Sequence, residues 1–291
     1  MPHWKLILAY DGTPYNGWQI QPNLPTVQGT LAQAIHRVTG ETVLPQGSGR
    51  TDTGVHALAQ VATFSLTVPI PAANLHRALN RALPASIRVL SVEAVPEDFH
   101  ARHSALRKTY EYRILSGGNE DRICSPMLAP YVWACRLPLN LEILQQAATH
   151  ILGTHDFTSF AASDPDLTTR NRANENESAG ATRPDSRTCV FEPITNPTTS
   201  IDTSSIAISA PDNIRTIHHS TWHQHEDLFI YRITGSGFLH HMVRNLVGTF
   251  VEAAANRISA DEIPAILAAR DRSAAGPTAP ASGLFLVEVE Y

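Results

Sequence analysis

The stretch Gly47-Ser48-Gly49-Arg50-Thr51-Asp52-Thr53-Gly54-Val55-His56-Ala57 sets one carboxylate, Asp52, among small and polar residues, with Arg50 two positions before it and His56 four after. Three kinds of work suit such an acid. It can close a tight turn, since Asp before Thr-Gly readily bonds nearby backbone N–H groups. It can be one of two carboxylates that share a proton. It can also be an ionised nucleophile or electrostatic group. On an extended segment Arg50 and Asp52 point to the same face, and a guanidinium at that spacing favours the ionised, nucleophilic carboxylate. A structural ion pair has the same spacing.

The proton-sharing alternative is the chemistry of aspartic proteases, whose short signature is Asp-Thr-Gly. The chain has no second Asp-Thr-Gly or Asp-Ser-Gly, and Gly-Ser-Gly-Arg-Thr precedes this one where an apolar strand is expected. Only a homodimer would supply the second copy. Elsewhere, Tyr110 lies in an alternating Tyr-Glu-Tyr run, which puts one face inward and the other into a cleft or solvent. Arg102, Arg107, Lys108 and Arg113 follow one another closely with aromatics between them, a pattern suited to phosphate contact and base stacking. A solvated basic face gives the same pattern. In Phe-Leu-His-His-Met-Val-Arg, helical spacing puts Arg244 on one polar face with His240 and His241. His218, His219, His223 and His225 have no framing cysteines or carboxylates at metal-site spacing, so they read as a surface segment and no metal is expected.

Elements to position these groups are legible along the chain. Residues 4–10 read as a buried strand closed by Asp-Gly-Thr-Pro. Val27, Leu31, Ala34, Ile35 and Val38 recur at helical spacing, with Gly40 placed to stop the helix. A strand at 60–66, a helix opened by Pro71 and a strand at 87–95 complete a first half. A second half holds a strand from the basic segment, a helix over 139–152, and a helix over 238–256 whose apolar stripe runs from Phe238 to Val251. A capping box follows at Ser259 and Glu262, and a final strand at 283–291. The order predicts an α+β fold of two similar α/β-sandwich halves, 1–105 and 106–291, with mixed, mainly antiparallel sheets meeting at a central cleft. Residues 163–225, rich in Asn, Thr, Ser, Asp and Pro, read as polar insertions around short strands such as Thr188–Thr195.

Composition removes several classes of function. With 291 residues, 43% of them hydrophobic, the chain can bury a sizeable core. The net charge of -5 gives no global attraction to a polyanion, so any nucleic-acid site must be local. Three cysteines without Cys-x-x-Cys spacing predict neither a disulfide framework nor a zinc knuckle, and suit a reducing cytosol. No apolar run reaches the roughly 18 residues of a membrane span. Secretion and membrane spanning are not expected.

Taken together, these motifs carry a resemblance. Gly49-Arg50-Thr51-Asp52-Thr53-Gly54-Val55-His56-Ala57 resembles the Gly-Arg-Thr-Asp-Ala-Gly-Val-His-Ala motif of the TruA-type tRNA pseudouridine synthases. Segments 10–35, 96–114, 151–161, 235–252 and 277–291 are similar to further blocks of that family. The resemblance implies isomerisation of uridine to pseudouridine at positions 38, 39 and 40 of the tRNA anticodon stem-loop, in the cytoplasm, by a homodimer needing neither cofactor nor metal. The absence of GxxxxGK[ST] and GxGxxG motifs agrees with that chemistry. It further implies Asp52 as the catalytic carboxylate, Arg50 supporting a flipped-out nucleotide, Tyr110 stacking on the uracil and helping to remove the C5 proton, and Arg244 pairing with Asp52. Substrate contacts are implied at Tyr110, Arg102, Arg107, Lys108 and His56. Thr53 departs from the family's alanine and adds a hydroxyl beside Asp52, and 163–225 is longer than the family pattern leads one to expect. A tRNA-binding protein without catalysis is the alternative of another class, but binding alone gives no reason to keep an acid that repels phosphate.

Overall fold

The computed structural model describes residues 1–117, 123–162 and 213–291. Strand β1 (His3–Tyr10) buries every second side chain, Trp4, Leu6, Leu8 and Tyr10. Helix α1 (Val27–Thr39) starts where Thr26 accepts a hydrogen bond from the Gly29 N–H, and ends at Gly40, whose φ of 76° only glycine adopts cheaply. β2 (Gln46–Gly47) and β3 (His56–Ser65) flank the Asp52 loop. α2 (Ala72–Ala82) follows Pro71, and β4 (Ile87–Val95) closes the first group of elements.

β5 (Arg107–Ser116) opens the second group, followed by β6 (Trp133–Cys135), α3 (Leu141–Thr149, capped by Asn140) and β7 (Gly153–Asp156). Then come β8 (Ile214–His225), β9 (Leu228–Gly235), α4 (Met242–Ala254), α5 (Ile263–Ala269) and β10 (Leu284–Glu290). The capping box expected at Ser259 and Glu262 is present, on a short 3₁₀ turn ahead of α5.

The strands form one ten-stranded sheet in the order β4-β1-β3-β10-β5-β9-β8-β7, with β2 beside β3 and β6 beside β5. All pairs are antiparallel except β10 with β3 and β5 with β6. The α+β class with a mixed, mainly antiparallel sheet is thus the architecture observed. The last strand joins the two groups of strands, with Phe285 opposite His56 on one side and Glu111 on the other. A chain that must return its C-terminus to the middle of the sheet brings loops from distant segments to one place.

Two sequence expectations change here. The helix read over 238–256 begins only at Met242, because His241 stands in the left-handed region at φ 59°. The stretch 214–225, read as part of a polar insertion, is strand β8, which pairs on both edges and buries Ile217, Ser220 and Trp222. Its exposed face carries polar side chains, so composition resembled a loop. β9 was not marked by any sequence signal used above. The strand expected at Thr188–Thr195 lies outside the described residues.

Candidate active site

The loop that carries Asp52 is pinned from several sides. Thr51 gives its carbonyl to the Trp18 N–H at 3.0 Å, and its hydroxyl meets the Tyr10 hydroxyl at 2.8 Å. Ser48 Oγ donates to Gln60 Oε1, and Gln60 Nε2 donates to the Gly49 carbonyl. Gly17, at φ 80°, lets the chain pass so close that a Cβ there would lie 2.5 Å from the Thr51 carbonyl oxygen. The Val55 N–H donates to the Asp52 carbonyl at 3.1 Å, with Gly54 at φ 78°, so the backbone does make a tight turn. The carboxylate takes no part in that turn.

Asp52 Oδ2 instead accepts a hydrogen bond from Arg244 Nη1 at 2.8 Å. His241 Nε2 lies 3.3 Å from the same oxygen, and His240 Nε2 lies 3.6 Å from Oδ1. The two imidazole rings sit 3.9 Å apart. Arg244 is on α4, whereas both histidines precede the helix. The polar helix face expected from their spacing therefore does not exist, and the left-handed turn at His241 aims the rings at Asp52 instead. Burial pulls the His241 pKa down, with His240, Arg244 and Arg272 pushing the same way and Asp52 opposing, which favours a neutral ring. Asp52 remains 21% exposed, and the Arg244 side chain 15%. A fixed cation and two imidazoles thus hold an acid that solvent still reaches.

Tyr110 is 7% exposed and meets Phe238 edge-on at 5.0 Å. Its hydroxyl has no hydrogen-bond partner among the described residues. Burial raises its pKa, with Tyr10 and the Asp52 charge adding to the shift. Among the described residues only Asp52, His240 and His241 bring three metal-type donors within 4.8 Å of one another. That donor set could hold a divalent cation, but the Arg244 guanidinium on the same carboxylate opposes a second positive charge. His218, His219, His223 and His225 lie exposed on β8.

The basic run does not form one patch. Strand alternation puts Lys108 on the side of Tyr110, and Arg107 and Arg113 on the other. Lys108 Nζ donates to the Ser48 carbonyl beside the Asp52 loop, and burial, with Arg102 and Arg215 nearby, lowers its pKa to about 8. Arg113 Nε donates to Glu111 at 2.8 Å and its guanidinium covers the Phe285 ring. Arg107 lies 3.9 Å from Glu290. Arg50 and Arg102 are exposed.

His56 is 1% exposed. Its Nδ1 accepts from the Gly12 N–H at 3.0 Å, so the proton sits on Nε2, which donates to the Pro130 carbonyl at 2.9 Å. The ring stacks on Phe285 at 4.7 Å, and burial lowers its pKa. With Nδ1 unprotonated, the 3.3 Å approach of Asp11 is not an ion pair. The structure makes His56 a buried fastener between loops, with neither ring nitrogen left for a substrate. Thr53 is exposed, and its hydroxyl makes no hydrogen bond among the described residues. His240, His241 and Phe238 are members of the site that the sequence analysis did not assign to it. Helical spacing grouped His240 and His241 with Arg244, but their turn toward Asp52 comes from one left-handed residue, which periodicity does not show.

A mixed sheet whose loops bring an Arg-Thr-Asp motif against an arginine 192 positions later leaves a solvent-reached carboxylate held by a fixed cation. Residues 6–104 and 202–291 match the sequence profile of the tRNA pseudouridine synthase family, and the chain belongs to that family. Among its relatives are proteins named tRNA pseudouridine synthase A. That of Solibacter usitatus is 43% identical over 288 residues, covering 99% of this chain and 98% of its own. That of Moorella thermoacetica is 40% identical over 294 residues, covering the whole of both chains. That of Thermoanaerobacter sp. is 38% identical, over 98% of each. These relatives are close to this chain in overall length.

Proposed function

We propose that this protein isomerises uridine to pseudouridine in tRNA, at positions 38, 39 and 40 of the anticodon stem-loop, with Asp52 as the catalytic carboxylate. The observation that carries the reading is the solvent-reached Asp52 carboxylate, held at 2.8 Å by Arg244 from the far part of the chain and faced by histidines. In the reaction the N1–C1′ bond breaks, the uracil turns, and C5 bonds to C1′. C5 gives up its proton and N1 ends protonated, so atoms and electrons balance without an oxidant or a leaving group. An ionised carboxylate is the group such a step requires at the sugar or the ring.

Tyr110 stacks on the uracil and helps remove the C5 proton, its hydroxyl making no hydrogen bond among the described residues. Arg50, exposed beside Asp52, supports the extruded nucleotide, because base flipping costs a few kcal/mol that contacts must offset. Lys108, Arg102 and Arg107 contact phosphate. No metal or cofactor enters this scheme. The enzyme works in the cytoplasm as a homodimer, in which one tRNA spans both subunits; no helix among the described residues is long and apolar enough to cross a membrane.

The test is tritium release from C5 of labelled uridine in a tRNA transcript, with the modified positions mapped. The intact protein should release tritium at positions 38 to 40, and Asp52→Asn should bind the same tRNA with no release. Turnover by Asp52→Asn would refute the assignment. Binding without release by the intact protein would favour a tRNA-binding protein.

A further inference from the structure

Arg244 is held by a segment that has no place in the chemistry just described. Its Nε donates to the Ala279 carbonyl at 2.8 Å, which leaves Nη1 aimed at Asp52, and the Ala279 N–H returns a hydrogen bond to the Arg244 carbonyl. Residues 275–280 run over α4 as an irregular strap. Arg272 ties it down, donating through Nη1 to the carbonyls of Ala275 and Gly276 and through Nη2 to Thr278 Oγ1 and Asn245 Oδ1. Asn245, fully buried and next to Arg244, also accepts from Thr278 Oγ1 at 2.7 Å and donates to the Phe160 carbonyl. Tyr112 donates to the Pro280 carbonyl at 2.7 Å. Gly248 admits the strap, since a Cβ there would lie 1.7 Å from the Pro277 oxygen.

Within the strap Ala279 is buried, whereas Pro277, Thr278 and Pro280 are exposed. The strap's contacts converge on the one carbonyl that orients the Arg244 guanidinium. An arginine side chain is long and rotamer-rich, and a single bond to Asp52 would not fix its plane. We infer that the strap at 275–280 sets Arg244, and through it Asp52, for turnover, with Arg272, Asn245 and Thr278 as positioning residues. The inference rests on Asp52 and Arg244 being the working pair.

The experiment compares Arg272→Met, Thr278→Val and Thr278→Ser by single-turnover tritium release from tRNA and by tRNA affinity. Because displacements of an ångström at a reacting group cost up to about a hundredfold, Arg272→Met and Thr278→Val should lose about ten- to a hundredfold in the single-turnover rate. Their tRNA Kd should stay within about twofold, since ground-state binding is not what they alter. Thr278→Ser, which keeps the hydroxyl, should retain the rate. Thr278→Val guards against a fold defect, its side chain being exposed and its shape conserved. A wild-type rate in both Arg272→Met and Thr278→Val, a loss matched by the unfolded fraction at the assay temperature, or one accounted for by weaker tRNA binding would overturn the inference. Asp52→Asn measured alongside separates the two readings: if that variant turns over, the assignment of the pair fails, whatever the strap variants do.

Discussion

Replacing Arg244 by glutamine removes a guanidinium that makes two hydrogen bonds, one to Asp52 Oδ2 and one to the Ala279 carbonyl, both at 2.8 Å. Two unit charges about 4 Å apart attract by about 4 kcal/mol at an effective dielectric of about 20. Desolvation of both partners, each more than three-quarters buried, offsets part of this. A charge-assisted hydrogen bond of net worth about 1.5–3 kcal/mol remains, and the bond to Ala279 adds about 1 kcal/mol. Arg244→Gln should therefore cost about 2.5–4 kcal/mol of folding stability. In an Asp52→Ala background the same change should cost only about 1 kcal/mol, because the charged partner is already gone. Urea unfolding of the four proteins closes a double-mutant cycle, with an expected coupling of about 1.5–3 kcal/mol. Single effects that add to within about 0.5 kcal/mol would refute the claim that the two side chains form a working ion pair.

Other outcomes follow from the same geometry. Tyr110→Phe should keep wild-type stability, since the hydroxyl makes no hydrogen bond among the described residues, while slowing single-turnover tritium release; an unchanged rate would remove the hydroxyl from proton transfer. For Lys108, burial takes the folded pKa down to about 8. Its charge is present at pH 7 and largely lost by pH 9, so tRNA binding should weaken over that window and stay flat in Lys108→Arg, as filter binding would show. The sign for stability is opposite. Between about 8 and the unfolded value near 10.4, the unfolded chain holds a proton that the folded one lacks, so this group's cost to stability falls as pH rises. Gly17→Ala puts a Cβ 2.5 Å from the Thr51 carbonyl at a positive φ, so it should displace the Asp52 loop and lower the rate of tritium release more than tRNA affinity.

Much of the architecture is written in local patterns. Thr26 and Gly40 bound α1, Pro71 opens α2, Ser259 and Glu262 form their capping box, and the alternation of β1 marks its buried face, because each depends on neighbours within a turn or two of chain. Asp52, Arg50, Tyr110 and Arg244 stand out in sequence for a related reason, since they sit in dense, ordered motifs. Long-range pairing and orientation are not written that way. β8 looked like a loop because its polar face is the one that shows in composition, and its inner face gains meaning only between β7 and β9. His56 shares the Asp52 motif, yet the return of β10 beside β3 places Phe285 against its ring and takes it out of reach of a substrate. Lys108 and Arg113 belong to one basic run, and strand alternation sends them to opposite faces. The partner of Asp52 was expected two residues away at Arg50 and by resemblance at Arg244; the pairing in the structure, at a separation of 192 residues, exists because the sheet closes with its last strand in the middle. Local sequence selects helix, strand and turn through short-range sterics and hydrogen bonding, while the meeting of Asp52, His240, His241 and Arg244 is a property of chain topology and one left-handed residue.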